Sequence, residues 1–183
     1  MRNVSGINPC ETQLFADIAQ LGIAFELVEH SAVFTVEESS KLDRDIPGAH
    51  TKNLFLKDAG GQFWLVTVPA DMRVDLKRLP HSIGSKRVSF GKECDMQRLL
   101  GISPGSVTPL AAINDSTGEV NVVLDASLSG CDRINVHPLR NTATLGLSPA
   151  NLIQLLKLWD HSPVISAIPA ITADGNLDET RAD

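Results

Sequence analysis

The chain has 183 residues, 43% of them hydrophobic, with 16 basic and 22 acidic side chains and a formal net charge of −6. That length suits one folded core, since a domain of about 150 residues buries roughly two-thirds of its unfolded surface. The acidic total argues against a protein that coats nucleic acid nonspecifically, because such binding neutralises many phosphates. It leaves room for recognition of a single RNA end.

No apolar run approaches the roughly 20 residues of a membrane-spanning helix, and the first residues lack the apolar segment of a signal peptide. Cys10, Cys94 and Cys131 form no Cys-x-x-Cys pair. Neither a disulfide framework nor a structural zinc site is therefore expected, and a cytoplasmic protein with no membrane partner is.

Taken in order, Leu14, Phe15, Ile18 and Leu21 recur at helical spacing and predict a helix from Glu11 to Leu21, stopped by Gly22. Ala24 to Glu29 alternates and predicts a strand. Thr35 and Glu38 form a capping box for a short helix reaching about Arg44. A loop from Ile46 to Thr51 then leads to the apolar run Leu54-Phe55-Leu56. The turn Ala59-Gly60-Gly61-Gln62 joins it to Phe63–Val68, so a hairpin is expected here.

Pro69 ends that strand, and Val74 to Leu79 is expected to form one or two helical turns. Arg87–Phe90 predicts a short strand, and Glu93–Leu100 a helix stopped by Gly101. Pro104, Gly105 and Pro109 make the following loop stiff. A strand is expected at Val120–Leu124, an apolar strand over Cys131–Val136 leads to His137-Pro138, and Thr142–Leu145 is a β-branched segment. Ser148 caps a helix with Pro149 at its first position. A last strand is expected within Pro163–Ile168.

Several neighbouring strands are joined too tightly for parallel crossovers, which predicts a mixed sheet with helices outside it, an α+β class. One domain is expected over residues 1–168, with a flexible tail over 169–183, polar and acidic from Thr172 onward.

Charge is uneven along the chain. Between Arg73 and Lys92 stand Arg73, Lys77, Arg78, Lys86, Arg87 and Lys92 against one acid, Asp75. Such a run is either a solvated face or a patch for RNA phosphates, for which Lys77, Arg78, Lys86 and Arg87 are the candidates. No Gly-x-Ser-x-Gly elbow and no phosphate-binding glycine loop is present. The histidines at 30, 50, 81, 137 and 161 show no spacing of a metal-binding helix, so no metal and no other cofactor is expected. His137, between an apolar strand and Pro138, is structural on the residues alone, and His30 is structural or at a pocket edge.

Three stretches carry a family resemblance. They are His50-Thr51-Lys52-Asn53-Leu54-Phe55-Leu56-Lys57-Asp58, then Leu100–Pro109 followed by Ile113-Asn114-Asp115, then Val136-His137-Pro138-Leu139-Arg140-Asn141-Thr142-Ala143-Thr144. In order and spacing they resemble the trans-editing aminoacyl-tRNA deacylases related to the editing domain of bacterial prolyl-tRNA synthetases, the YbaK/prolyl-tRNA-synthetase-associated family. The resemblance covers roughly residues 12 to 165.

It implies a mixed, barrel-like sheet surrounded by helices, and hydrolysis of alanine, or alternatively cysteine, from mischarged tRNA for proline. A noncatalytic aminoacyl-tRNA or synthetase-binding module is the rival reading. The partners implied are the acceptor end of an aminoacylated tRNA and prolyl-tRNA synthetase, the protein itself being a monomer or homodimer. The site implied has Lys52 on the terminal nucleotide, Asn53 beside it, His137 on the aminoacyl group or a water, and Gly105 in the backbone loop. Thr51, Ser106, Val107, Pro109 and Val136 would surround the substrate. Leu110-Ala111-Ala112 stands where relatives more usually have Phe-Gly after the proline, which bears on the preferred amino acid.

Overall fold

A computed structural model describes residues 9–32 and 45–171. The capping box of Thr35 and Glu38 and the acidic tail lie outside these residues. The helices are α1 (Pro9–Gln20), α2 (Leu79–Ile83), α3 (Glu93–Leu100) and α4 (Pro149–Leu158). The strands are β1 (Phe25–Glu29), β2 (Ala49–Asp58), β3 (Phe63–Pro69), β4 (Val88–Phe90), β5 (Val120–Asp125), β6 (Ile134–Val136), β7 (Ala143–Leu147) and β8 (Val164–Ser166). They form one eight-stranded sheet in the order β1-β7-β6-β2-β3-β5-β8, with β4 paired to β2. The sheet is mixed, as expected, and open at β1 and β8 rather than closed into a barrel.

Two apolar cores occupy its two faces. Phe55, Phe63, Leu65 and Val122 pack with α1, α3 and α4 on one side. Leu56, Val66, Val68 and Val123 pack with Met72, Leu79 and Ile168 on the other. Odd and even residues of β2 thus enter different cores, the alternation of a strand buried on both faces. The hairpin turn is held by Asp58, whose carboxylate accepts from the backbone N–H groups of Gly60, Gln62 and Lys86 at 2.7, 3.0 and 3.2 Å. Burial raises its pKa, yet these donors outweigh that and leave it below the usual carboxylate range.

Some boundaries differ from expectation. β2 begins at Ala49, because the Ala49 N–H donates to the Arg133 carbonyl in a parallel pairing invisible to local periodicity. Val74–Arg78 is not helical. Asp75 Oδ1 caps a turn by accepting from the N–H groups of Lys77 and Arg78, and Val74 bridges to Ala170. The helix starts only at Leu79, with Pro80 in its first turn. Two 3-10 segments, Pro109–Asn114 and Ala126–Gly130, are capped by the side chains of Thr108 and Asp125. Packing continues through Ile171, whose N–H donates to the Arg73 carbonyl. Among the described residues no helix is long and apolar enough to cross a membrane.

One glycine is fixed by close approach. A Cβ at Gly91 would lie 2.4 Å from Phe55 Cδ1, and that ring is buried and stacked on Phe63 with centroids 5.6 Å apart. Overpacking of this kind costs about 1–3 kcal/mol, so Gly91→Ala is expected to lower Tm by about 2–12 °C. An unchanged melting curve would show that the Phe55 ring can move aside.

Candidate active site at a split in the sheet

β2 has a neighbour along one side for its whole central length, where Thr51–Lys57 pairs with β3. On the other side its neighbours change. Ala49 and His50 pair in parallel with Ile134 and Asn135 of β6, and Leu56–Asp58 pairs with β4. Between them the strands part. The Thr51 hydroxyl donates to the Asn135 carbonyl at 2.7 Å and closes one end of the gap. The Gly91 N–H donates to the Phe55 carbonyl at 2.9 Å and closes the other. Lys52, Asn53 and Leu54 therefore sit at a split in the middle of the sheet.

The loop before the first 3-10 segment reaches into this region. Asn53 Nδ2 donates to the Val107 carbonyl at 2.9 Å, and Asn53 Oδ1 accepts from the Thr67 hydroxyl at 2.7 Å. One amide thus ties β2 to β3 and to the loop. Gly105, at φ +90°, follows Pro104 in a turn closed by the Ser106 N–H on the Ser103 carbonyl, a conformation that suits glycine at the third turn position.

A cavity of about 30 Å³ opens at the split, lined by Thr51, Asn53, Asn135, Val136, His137 and Thr144. About 10–15 Å³ of such space already admits one water. The walls are mostly polar. His137 Nδ1 donates to the Ala143 carbonyl at 3.2 Å, which fixes the ring's tautomer and orientation in its neutral form. His30 Nδ1 faces the Ser31 carbonyl at 2.9 Å and so must donate. Its Nε2 in the neutral ring then accepts from the Thr144 hydroxyl, 3.0 Å away. Asn135 Oδ1 is buried without a hydrogen-bond partner, while its Nδ2 donates to the Pro47 carbonyl at 3.2 Å.

Lys52 does not line that cavity, yet register relates it to His137. His50 and Asn135 are paired and share a face of the sheet. Alternation carries Lys52 and His137, two residues further along each chain, to the same face on opposite banks of the split. Lys52 is half-buried. Burial lowers its pKa below the ordinary lysine value, Asp71 opposes this and Arg73 adds to it.

Of the sequence-predicted residues, Thr51, Asn53, Val136 and His137 are brought together in the cavity wall, and Val107 joins them through its carbonyl. Gly105 is exposed in its turn, and Ser106 is half-buried beside it. Pro109 is buried as the first residue of its 3-10 segment and does not line the cavity. Leu110, Ala111 and Ala112 belong to the first core. Lys77, Arg78, Lys86 and Arg87 are all exposed. Lys86 binds at Asp58, six residues along β2 from Lys52 and so about 20 Å away.

Thr144 and Asn135 are wall residues that the sequence reading did not single out as site candidates. Thr144 ends the third motif and Asn135 immediately precedes it, so their place in that segment was the available signal. A larger hollow of about 260 Å³ between β1, β7 and α4 includes Phe25, Arg133 and Asn151. None of the predicted site residues lines it. Among the described residues, no group of three His, Cys, Asp or Glu side chains is placed to hold a metal ion.

Residues 30–155 match the model of the aminoacyl-tRNA editing domain. The prolyl-tRNA editing protein ProX of Acetoanaerobium sticklandii is 41% identical over 145 residues, covering 79% of this chain and 88% of that protein. The prolyl-tRNA synthetase associated domain-containing protein 1 of Bos taurus is 40% identical over 153 residues, covering 81% of this chain and 89% of that one. The multifunctional Ser/Thr-tRNA deacylase ProXp-y of Escherichia coli K12 is 30% identical over 102 residues, 54% of this chain and 61% of its own. A crystal structure of a candidate trans-editing enzyme for prolyl-tRNA synthetase superposes with a TM-score of 0.67 at 19% identity, covering 89% of this chain and 98% of that one, a likeness of fold alone. The extent of the domain match and the identity to these relatives place the chain in the aminoacyl-tRNA editing domain family.

Proposed function

We propose that the protein hydrolyses the ester joining a mischarged amino acid to tRNA for proline, with alanine as the amino acid removed. The observation that carries this reading is the small polar cavity at the split in the sheet, with His137 in its wall and Lys52 on the strand that forms the other bank. The names of the relatives point to the same chemistry.

The ester is already activated, so the site has only to place a water and stabilise the developing oxyanion. Fixed donors contribute about 3 kcal/mol each when aimed at that charge. His137 orients the water or the aminoacyl group, Thr51 and Asn53 hold the cavity's shape, and Lys52 binds the terminal nucleotide. No protein nucleophile is required.

The choice of alanine follows from size. A pocket that binds proline distinguishes a substrate smaller by a methylene by only about 1–3 kcal/mol, so a synthetase for proline needs a second sieve. Prolyl-tRNA synthetase is thus the enzyme whose errors are corrected.

The test is a deacylation panel with Ala-, Cys-, Ser- and Pro-tRNA. Ala-tRNA is expected to be cleared fastest and Pro-tRNA to persist. A protein that protects the ester in all four would be a binding module, and preference for Cys-tRNA would reassign the substrate. The same rates are expected to survive EDTA, because no ligand set for a transition metal is visible in the sequence. Activity lost to EDTA and restored by zinc would overturn the metal-free mechanism.

A further inference from the structure

Phe90 is the most exposed large apolar side chain among the described residues, at 65% of its full accessibility. It ends β4, a strand of three residues, and among the described residues makes no ring contact with another aromatic or a cation. The strand's first residue, Val88, is buried in the second core, so the strand is held without the ring. An aromatic left in solvent at this place does little for folding.

Its position is informative. Phe90 pairs with Leu56 and shares its face of the sheet. Alternation along β2 puts Leu54 and Lys52 on that face too, with Lys52 four residues, or about 13 Å, from the level of Phe90. Because β4 and β6 both flank β2 opposite β3, Phe90 and His137 stand at the two ends of the same split. Lys86, Arg87 and Lys92 flank the ring in sequence, and all three are exposed. Nearby acids oppose them weakly. Glu93 is exposed, whereas Asp95 pairs with Lys57 and Arg98 at 3.9 Å.

We propose that the Phe90 ring is a stacking platform for an unpaired base of the RNA strand, upstream of the terminal nucleotide at Lys52. This rests on the deacylase reading and extends it to the course of the strand across the sheet. An exposed ring beside several cations is the combination that single-stranded nucleic acid uses, with bases on the ring and phosphates on the cations. Stacking of this kind tolerates any base. The platform therefore adds affinity for the RNA strand without choosing the amino acid, which is left to the cavity.

The experiment compares wild type, Phe90→Ala and Phe90→Trp in single-turnover deacylation of Ala-tRNA and of the alanyl ester of adenosine, which lacks the strand. Binding of uncharged tRNA and elution volume are measured beside them. Phe90→Ala is expected to raise the half-saturating concentration for Ala-tRNA by roughly five- to 150-fold. The change should fall on half-saturation rather than on the saturated rate, and Phe90→Trp should restore it. For the adenosine ester, dependence on the ring is expected to vanish.

Equal half-saturation of wild type and Phe90→Ala with Ala-tRNA would overturn the proposal. So would a dimer that becomes monomeric in Phe90→Ala, because the ring would then pack on a second copy of the chain. If wild type cleaves neither ester, the deacylase reading fails by itself. Weaker binding of uncharged tRNA by Phe90→Ala would still support the platform.

Discussion

Lys52→Ala is expected to lower kcat/KM for Ala-tRNA about ten- to 150-fold, because a charge-assisted hydrogen bond in a partly desolvated site contributes about 1.5–3 kcal/mol. The structure gives this expectation a geometry. Lys52 projects from the middle of β2 at the split, on the face it shares with His137, and burial already disfavours its charge. A cation held at that cost is stabilised when a phosphate arrives. Removing it should leave Tm almost unchanged, since no ion pair within the described fold depends on it. Arginine should rescue only in part, because a planar fork does not fill the place of a compact ammonium.

Lys57→Ala is the matched control. Lys57 lies 3.9 Å from Asp95 and 4.7 Å from the centre of the Phe63 ring, on the opposite face of the same strand. Its loss should trim stability slightly and leave the chemistry alone. Normal deacylation by Lys52→Ala, or a loss matched by a fall in Tm, would mean that the nucleotide does not sit at this lysine.

Where local signals suffice, the sequence and structure agree closely. Helix α3 occupies Glu93–Leu100 as its spacing and Gly101 predict, and Gly101 is left-handed at φ +61°. Ser148 and Pro149 open α4, with the Ser148 hydroxyl accepting from the Asn151 N–H at 3.2 Å. The β2–β3 hairpin was legible from its apolar runs and its Gly-Gly turn. The early start of β2 was not, because it depends on parallel pairing with β6, more than eighty residues away. The split depends on the same pairing, since β6 leaves β2 after His50 and β4 arrives only at Leu56.

The chemistry divides in the same way. Motif spacing singled out Thr51, Lys52, Asn53 and His137 as residue types. It did not reveal that adjacent Lys52 and Asn53 leave opposite faces of one strand, or that Asn53 has internal partners for both polar atoms. Those facts follow from register and from a loop contact over 54 residues. Arg140, in the third motif, is likewise committed to structure. It pairs with Glu11 at 2.8 Å and with Glu29, fastening α1 and β1 beside the segment that carries His137.

Those internal bonds set the expectation for Asn53. In Asn53→Ala the Thr67 hydroxyl, fully buried, loses its acceptor, and the Val107 carbonyl loses its donor. Each abandoned group costs about 1–3 kcal/mol, so a Tm lower by about 4–24 °C is expected. Two further variants separate the bonds. Thr67→Val removes only the bond to Oδ1 and should cost stability while the loop stays tied and activity persists. Asn53→Asp keeps an acceptor for Thr67 but turns a carboxylate oxygen toward the Val107 carbonyl, where repulsion replaces the bond. Its stability should fall less than that of Asn53→Ala, yet its deacylation rate should fall about 100-fold, the cost of misplacing groups by about 1 Å. Thr67→Val and Asn53→Asp thus move stability and rate in opposite proportions if Asn53 acts by holding the 102–108 loop against β2. Rates that follow Tm alike in all three variants would reduce Asn53 to a structural brace with no part in shaping the cavity.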